Sequence, residues 1–297
     1  MLFLRSAEGL SAPVKVFVSI PPQAFFVEQI GGRRVTVDTL LAPGKNHDTF
    51  TPAPEQAAKL AKADLFFTIG LPYERSVVEK IAIGFHNLKI VNTVGEISFR
   101  KIEGGHAHRH DHDYHHEVST STSVDSKGDF GNDPHTWLNP IFAIKQAEAI
   151  SKALIEADPE QKAFYAANFE ILKGQLKALD VQIRSLLEPV SGGVIFVFHP
   201  AYGYFTDAYG LRQMPVEVEG KSPKPKDLAF FIKQAKEHHV RALFVQKDSN
   251  HAAAKKIAAA VNGAVIEVNP LEKNYIENLM TIAEAVADAL KKGSGKQ

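Results

Sequence analysis

Short apolar runs alternate along this chain with stretches whose apolar positions recur every three to four residues. Val14–Ile20 (VKVFVSI) predicts a buried strand, and a Pro-Pro turn leads from it into a helix over Gln23–Ile30 that stops at Gly31-Gly32. Val35–Leu41 (VTVDTLL) predicts a second strand, Pro54–Ala61 a helix, Leu65–Ile69 (LFFTI) a third strand, and Ile90–Val91 begins a fourth. Strand and helix in alternation argue for βαβ units around a parallel sheet.

From about Arg100 to Asn132 the pattern stops, and a polar stretch rich in His, Ser, Thr and Gly takes its place. An insertion of this length without periodicity predicts a mobile loop. A helical segment then opens at Pro140. Asp158-Pro159 carries a helix start, a capping residue followed by proline in the first turn. Beyond it Tyr165, Phe169, Leu172, Leu176, Leu179, Ile183 and Leu186 recur at gaps of 4, 3, 4, 3, 4 and 3, one apolar stripe on one helix. Thirty residues at 1.5 Å each span about 45 Å, enough to run along two lobes. A long surface helix of one domain, or half of a coiled-coil dimer, fits the same stripe. Gly174 inside it costs ~1 kcal/mol against alanine, which the buried apolar side chains outweigh.

The alternation then restarts. Val194–Phe198, Ala242–Val245 and Ala264–Val268 predict strands, and Pro225–Glu237, His251–Val261 and Tyr275–Leu290 predict helices. The expected layout is a remnant over residues 1–13, an N-terminal lobe over 14–157 with its loop at 100–132, a linking helix over 158–188, a C-terminal lobe over 189–290 and a tail over 291–297. A length of 297 residues fits two domains better than one.

Composition removes several function classes. Thirty-four basic residues balance thirty-four acidic ones, so no net field steers the chain to nucleic acid or to an anionic membrane. There is no cysteine, which excludes disulfides, thiolate zinc sites and iron–sulfur clusters and leaves His, Asp and Glu as metal ligands. No stretch reaches the ~18 apolar residues a spanning helix needs. The apolar start before Arg5 is too short for the core of a secretory signal. A removed signal, a truncated start and a protein that is not exported all fit that start.

Candidate chemistry rests on histidine. His106, His108, His110, His112, His115 and His116 fall within eleven residues, interleaved with Asp111 and Asp113. Imidazole and carboxylate in this density read as metal-binding, although a plain solvated loop has the same composition. Three further histidines sit where parallel sheets gather ligands, beyond the carboxyl ends of strands. His199 follows VIFVF, His47 lies in the loop leaving VTVDTLL, and His135 stands in Asp133-Pro134-His135 ahead of the Pro140 helix. Gln246 and Asn269 also follow predicted strands directly. If both sheets present these edges to one cleft, three imidazoles can converge on one ion. His86, His238, His239 and His251 lie in a loop or on helices among polar neighbours and read as ordinary surface residues.

Seven segments in order, VFVSIPPQAFFVEQIGG, APGKNHDTFTP, KADLFFTIGLPYE, NDPHTWLNP, FHPAYGYFTDAYGL, EGKSPKPKDL and VNPLEKNYIENL, cover the chain from about Val14 to Leu290. In them the chain resembles the substrate-binding proteins of bacterial zinc and manganese ABC importers, the cluster A-I metal-binding family, and most closely its zinc-uptake, ZnuA-like branch. The resemblance implies an α/β fold of two Rossmann-like lobes, each a mainly parallel sheet flanked by helices, joined by one long spanning helix. It implies Zn2+ held in the interlobe cleft by His47, His135 and His199 and handed to a membrane ABC permease. It also implies a periplasmic or extracytoplasmic location, and a His-rich insertion that marks zinc-specific members. Manganese-preferring relatives typically carry a carboxylate at the third position; His199 there favours a borderline ion such as zinc.

Two positions depart from the family. A frequent acidic fourth ligand is replaced by Asn269, and a strand-end glutamate by Gln246, so the fourth position is expected to hold water, with the Asn269 amide as runner-up. Asp48, Asp133, Glu217 and Gln246 are expected to stand behind the imidazoles and orient them. The expected activity is capture by a monomer without catalysis. A Mn2+ or other divalent-metal binder of the same family, and a zinc buffer or chaperone, remain alternatives. A zinc hydrolase would need a general base near the metal, and neither HExxH nor a glutamate adjacent to these histidines is present.

Overall fold

The apolar runs at Val14, Leu65, Val194 and Ala242 become the inner strands of two four-stranded parallel sheets. The computed structural model describes residues 12–42, 44–82, 88–102, 131–217, 225–247 and 251–294. In the first sheet β1 (Val14–Val18), β2 (Val35–Thr39), β3 (Leu65–Thr68) and β4 (Lys89–Asn92) lie in the order β2-β1-β3-β4. In the second, β5 (Val194–Val197), β6 (Arg212–Pro215), β7 (Ala242–Val245) and β8 (Ala264–Glu267) take the order β6-β5-β7-β8. Inner strands β3 and β7 are buried at every position, as a sheet covered on both faces requires. Every pairing between these eight strands is parallel, and helical crossovers supply the return path that parallel pairing demands.

The crossovers of the first sheet are α1 (Pro21–Gly31), α2 (Pro54–Leu60) and α3 (Pro72–Ala82). In chain order α4 (Pro140–Ala157) and α5 (Lys162–Leu187) follow the strands of the first sheet and precede those of the second. The second sheet carries α6 (Gly203–Ala208), α7 (Pro225–Glu237), α8 (His251–Ala260) and α9 (Tyr275–Ser294). Five of these helices open on proline, whose missing N–H and fixed φ suit the first turn.

Two expectations about α5 are corrected. The chain makes a 3-10 turn at Pro159–Gln161 before the α-helix starts at Lys162, and Asp158 gives no side-chain cap. Its carboxylate is engaged elsewhere: it accepts from Tyr165 Oη at 3.1 Å and faces Arg34 Nε at 4.0 Å. The buried stripe runs Tyr165, Leu172, Leu176, Leu179, Ile183 and Leu187, so its last member is Leu187 and not Leu186. A repeat averaging 3.5 residues drifts by ~20° per heptad against a 3.6-residue helix, and over the three heptads from Tyr165 this brings Leu187 nearer the buried face than Leu186.

Contacts divide the described residues into two units. One holds the first sheet with Ile144–Lys177 and Leu271–Tyr275; the other holds the second sheet with Ile97–Ala143, Ala178–Pro270 and the chain from Ile276 onward. The long helix α5 therefore begins in one unit and ends in the other, and the architecture is two Rossmann-like lobes joined by a long helix. No described helix is long and apolar enough to cross a membrane.

Candidate metal centre

At the carboxyl edge of the first sheet, backbone groups just past the strands are held by buried polar side chains. Gln23 of α1 accepts from Ser19 N–H at 3.0 Å and donates to Thr93 Oγ1 at 3.2 Å, and Tyr73 Oη donates to Ser19 O at 2.8 Å. Glu74 of α3 accepts from Ile69 N–H at 2.9 Å and Gly70 N–H at 2.8 Å. Burial pushes the Glu74 carboxyl up to about 7, with the backbone donors opposing that rise. His47, in the loop after β2, is fully buried, and its Nε2 lies 3.5 Å from Asp48 Oδ1.

The second unit holds two imidazoles together. His199 follows β5 and is 4% exposed. Beyond β6 the ladder continues, with Val216 N–H donating to Val197 O and Glu217 N–H to Phe198 O, both at 2.9 Å. That register puts Glu217 beside His199, and Glu217 Oε2 lies 2.8 Å from His199 Nδ1. His135 is fully buried and sits in a tight turn in which Asp133 Oδ1 accepts from His135 N–H at 3.0 Å. The same oxygen lies 2.7 Å from His135 Nδ1. The other two ring nitrogens meet: His135 Nε2 and His199 Nε2 are 3.3 Å apart.

An ionised carboxylate only accepts hydrogen bonds, so Asp133 and Glu217 assign the proton of each ring to Nδ1. When both rings are neutral, the two Nε2 atoms then present lone pairs to one another in a buried space. Two acceptors at this separation repel unless a cation lies between them. Two nitrogens bound to one tetrahedral zinc at 2.0–2.1 Å are about 3.3–3.4 Å apart.

Contacts group His135 with His199 in the second unit, not with the first lobe to which chain order assigns it. Gln246, at the end of β7, is buried, and its Nε2 has no hydrogen-bond partner among the described residues. Asn269 is exposed, its carbonyl accepting from Asn278 Nδ2 at 2.7 Å. The histidines of the tract, His106, His108, His110, His112, His115 and His116, lie outside the described residues, as does His86. His238 and His239 close α7 and are exposed.

Sequence reasoning missed the groups behind Asp133. Arg100 Nη1 is 3.7 Å from Asp133 Oδ2 and its Nε is 3.2 Å from Asp207 Oδ2. Tyr204 Oη accepts from Arg100 N–H at 3.0 Å and donates to Asp133 O at 2.9 Å. Burial pushes the Tyr204 hydroxyl up to about 12. None of these residues carried a local signal, and the neighbouring Gly203 reveals the close approach only in the folded chain.

The family description "Zinc-uptake complex component A periplasmic" matches residues 16–292. The chain is 30% identical to the high-affinity zinc uptake system protein ZnuA of Paracoccus denitrificans (strain Pd 1222), over 93% of this chain and 91% of that protein. It is 26% identical to the ZnuA protein of Bacillus subtilis (strain 168), over 96% of this chain and 90% of that one. A crystal structure of ZnuA superposes with a TM-score of 0.82 at 30% identity, covering 94% of this chain and 99% of that chain. The periplasmic zinc-binding protein TroA of Treponema pallidum shares the fold at a TM-score of 0.77, 19% identity, 94% of this chain and 99% of that chain. With nearly its whole length matched, the chain belongs to the periplasmic zinc-uptake component A family.

Proposed function

We propose that this protein captures Zn2+ outside the cytoplasm and delivers it to a membrane ABC permease, acting as a monomer and without catalysing a reaction. His135 and His199 bind the ion through Nε2, His47 supplies the third imidazole, and water fills the fourth position, with Asn269 as the alternative donor. Zn2+ is the cargo. It arrives hydrated, exchanges waters for three neutral imidazoles, and leaves when those imidazoles separate. Asp133 and Glu217 hold two of the rings in the tautomer that can bind. Binding weakens as pH falls, because protons compete with the metal for the same nitrogens.

The observation that carries this reading is the 3.3 Å separation of two Nε2 atoms whose partner nitrogens face carboxylates. A borderline ion suits imidazole nitrogen better than a hard ion such as Mn2+. The names of the relatives, several of them zinc-uptake or zinc-binding proteins, agree with that preference.

Competitive titration of metal-free protein with Zn2+ and Mn2+ tests the reading. One tight Zn2+ equivalent is expected, lost in His135→Ala and in His199→Ala and kept when the His tract is deleted. Tighter binding of Mn2+ would move the protein to the manganese branch. Loss of tight binding with the tract alone would overturn the site.

A further inference from the structure

Asp133 is fully buried, and one of its oxygens already serves both the backbone N–H and the ring of His135. Its other oxygen, Oδ2, faces the guanidinium of Arg100 at 3.7 Å. A buried carboxylate is costly unless a positive group compensates it. Arg100 is that group, and two further contacts fix it. Its side chain is 18% exposed, its Nε holds Asp207 at 3.2 Å, and its backbone N–H donates to the Tyr204 hydroxyl at 3.0 Å. Tyr204 in turn donates to the carbonyl of Asp133 at 2.9 Å, so one tyrosine ties the backbones of Arg100 and Asp133.

Gly203 makes the space. A Cβ built there would fall on the Arg100 guanidinium and come within 2.7 Å of Asp133 Oδ2. The guanidinium is the far end of a flexible side chain, so it is the part that would give way. Arg100 also sits at the base of the histidine-rich insertion, where a short antiparallel ladder closes the two stems. Asp133 N–H donates to Arg100 O at 2.9 Å and Ile102 N–H to Gly131 O at 3.0 Å, with a bridge between Lys101 and Asn132.

We propose that Arg100, seated in the notch left by Gly203, is a positioning residue for metal capture: its charge holds Asp133 in the orientation that keeps the His135 proton on Nδ1 and makes Nε2 the nitrogen that meets the ion. The inference rests on the reading of His135 as a ligand. The stem of the insertion, in this reading, is a structural part of the metal centre, whatever the histidines beyond it contribute.

Arg100→Ala, Arg100→Lys, Gly203→Ala, Asp133→Asn and the Arg100→Ala/Gly203→Ala pair would be compared by Zn2+ titration and by thermal melting. Arg100→Ala and Gly203→Ala should each weaken Zn2+ binding about tenfold or more, the range for groups that orient a ligand. Arg100→Lys should recover most of that loss. The pair should be no weaker than the worse single variant, because both changes remove one arrangement. Imidazole nitrogen NMR of the metal-free proteins supplies a second readout. His135 should carry its proton on Nδ1 in the wild type and become a mixture of tautomers in Arg100→Ala and Asp133→Asn. Arg100→Ala that binds Zn2+ like the wild type with an unchanged tautomer would overturn the proposal, as would additive losses in the pair. Should the wild type take up no Zn2+, the functional reading falls while the tautomer measurement still decides the role of Arg100.

Discussion

Glu74 is a carboxyl group buried against the backbone of Ile69 and Gly70, and its place in the fold has a thermodynamic cost. Its pKa rises from 4.5 to about 7. Below pH 4.5 both the folded and unfolded chains hold the proton. As pH rises toward 7 the unfolded chain releases it first, so this residue makes stability fall across that window, by about 3 kcal/mol in all, and no further above it. Denaturant unfolding between pH 4.5 and 8 should show that decline, and Glu74→Gln should remove its share of the slope. An unchanged slope in the variant would mean that Glu74 is charged at lower pH than its burial implies. Glu217→Gln addresses a different residue-scale interaction. An amide accepts more weakly than a carboxylate and can turn its NH2 toward the ring, so Zn2+ affinity should drop about tenfold while the melting temperature of the metal-free protein stays close to wild type.

At the scale of elements, the sequence was most legible where burial was greatest. β3 and β7 are continuous apolar runs because they are inner strands, and their positions could be read within a residue. Edge strand β6, Arg-Gln-Met-Pro, escaped because one face needs no cover and its position at the rim tolerates Pro215. Helix α3 also escaped, although Tyr73, Val77 and Ile81 recur every four residues along it. In α5 the periodicity was visible, but the diversion of the Asp158 carboxylate to Tyr165 was a tertiary matter. Histidine positions at strand ends were likewise visible. The partnership of Asp133 with Arg100, 33 positions apart, and of Arg100 with Tyr204, 104 apart, depends on folding and left no local pattern. The stripe of α5 makes its own prediction. Leu176→Ala empties a fully buried site and should cost about 2–5 kcal/mol, whereas Ile171→Ala, at 62% exposure, should cost under ~1 kcal/mol. Paired unfolding curves would separate them.

For the whole molecule, metal and folding are linked. A ligand that binds the folded chain alone stabilises it by about 4 kcal/mol when present at a thousand times its dissociation constant. Saturating Zn2+ should therefore raise the melting temperature clearly, His135→Ala should abolish the rise, and deletion of residues 106–116 with both stems kept should preserve it. A rise that persisted in His135→Ala would place the stabilising ion elsewhere.

The chain has one tryptophan, Trp137. It is fully buried, donates its indole N–H to Pro270 O at 2.7 Å, and its ring centre is 5.2 Å from that of His135. All indole emission from this protein thus originates one ring away from an imidazole proposed to meet the ion. Closed-shell Zn2+ should only shift the colour or intensity of that light slightly, whereas open-shell Cu2+, Ni2+ or Co2+ at the same nitrogens should quench it. The folded polypeptide carries a built-in lamp, able to distinguish which metal has arrived without any added dye.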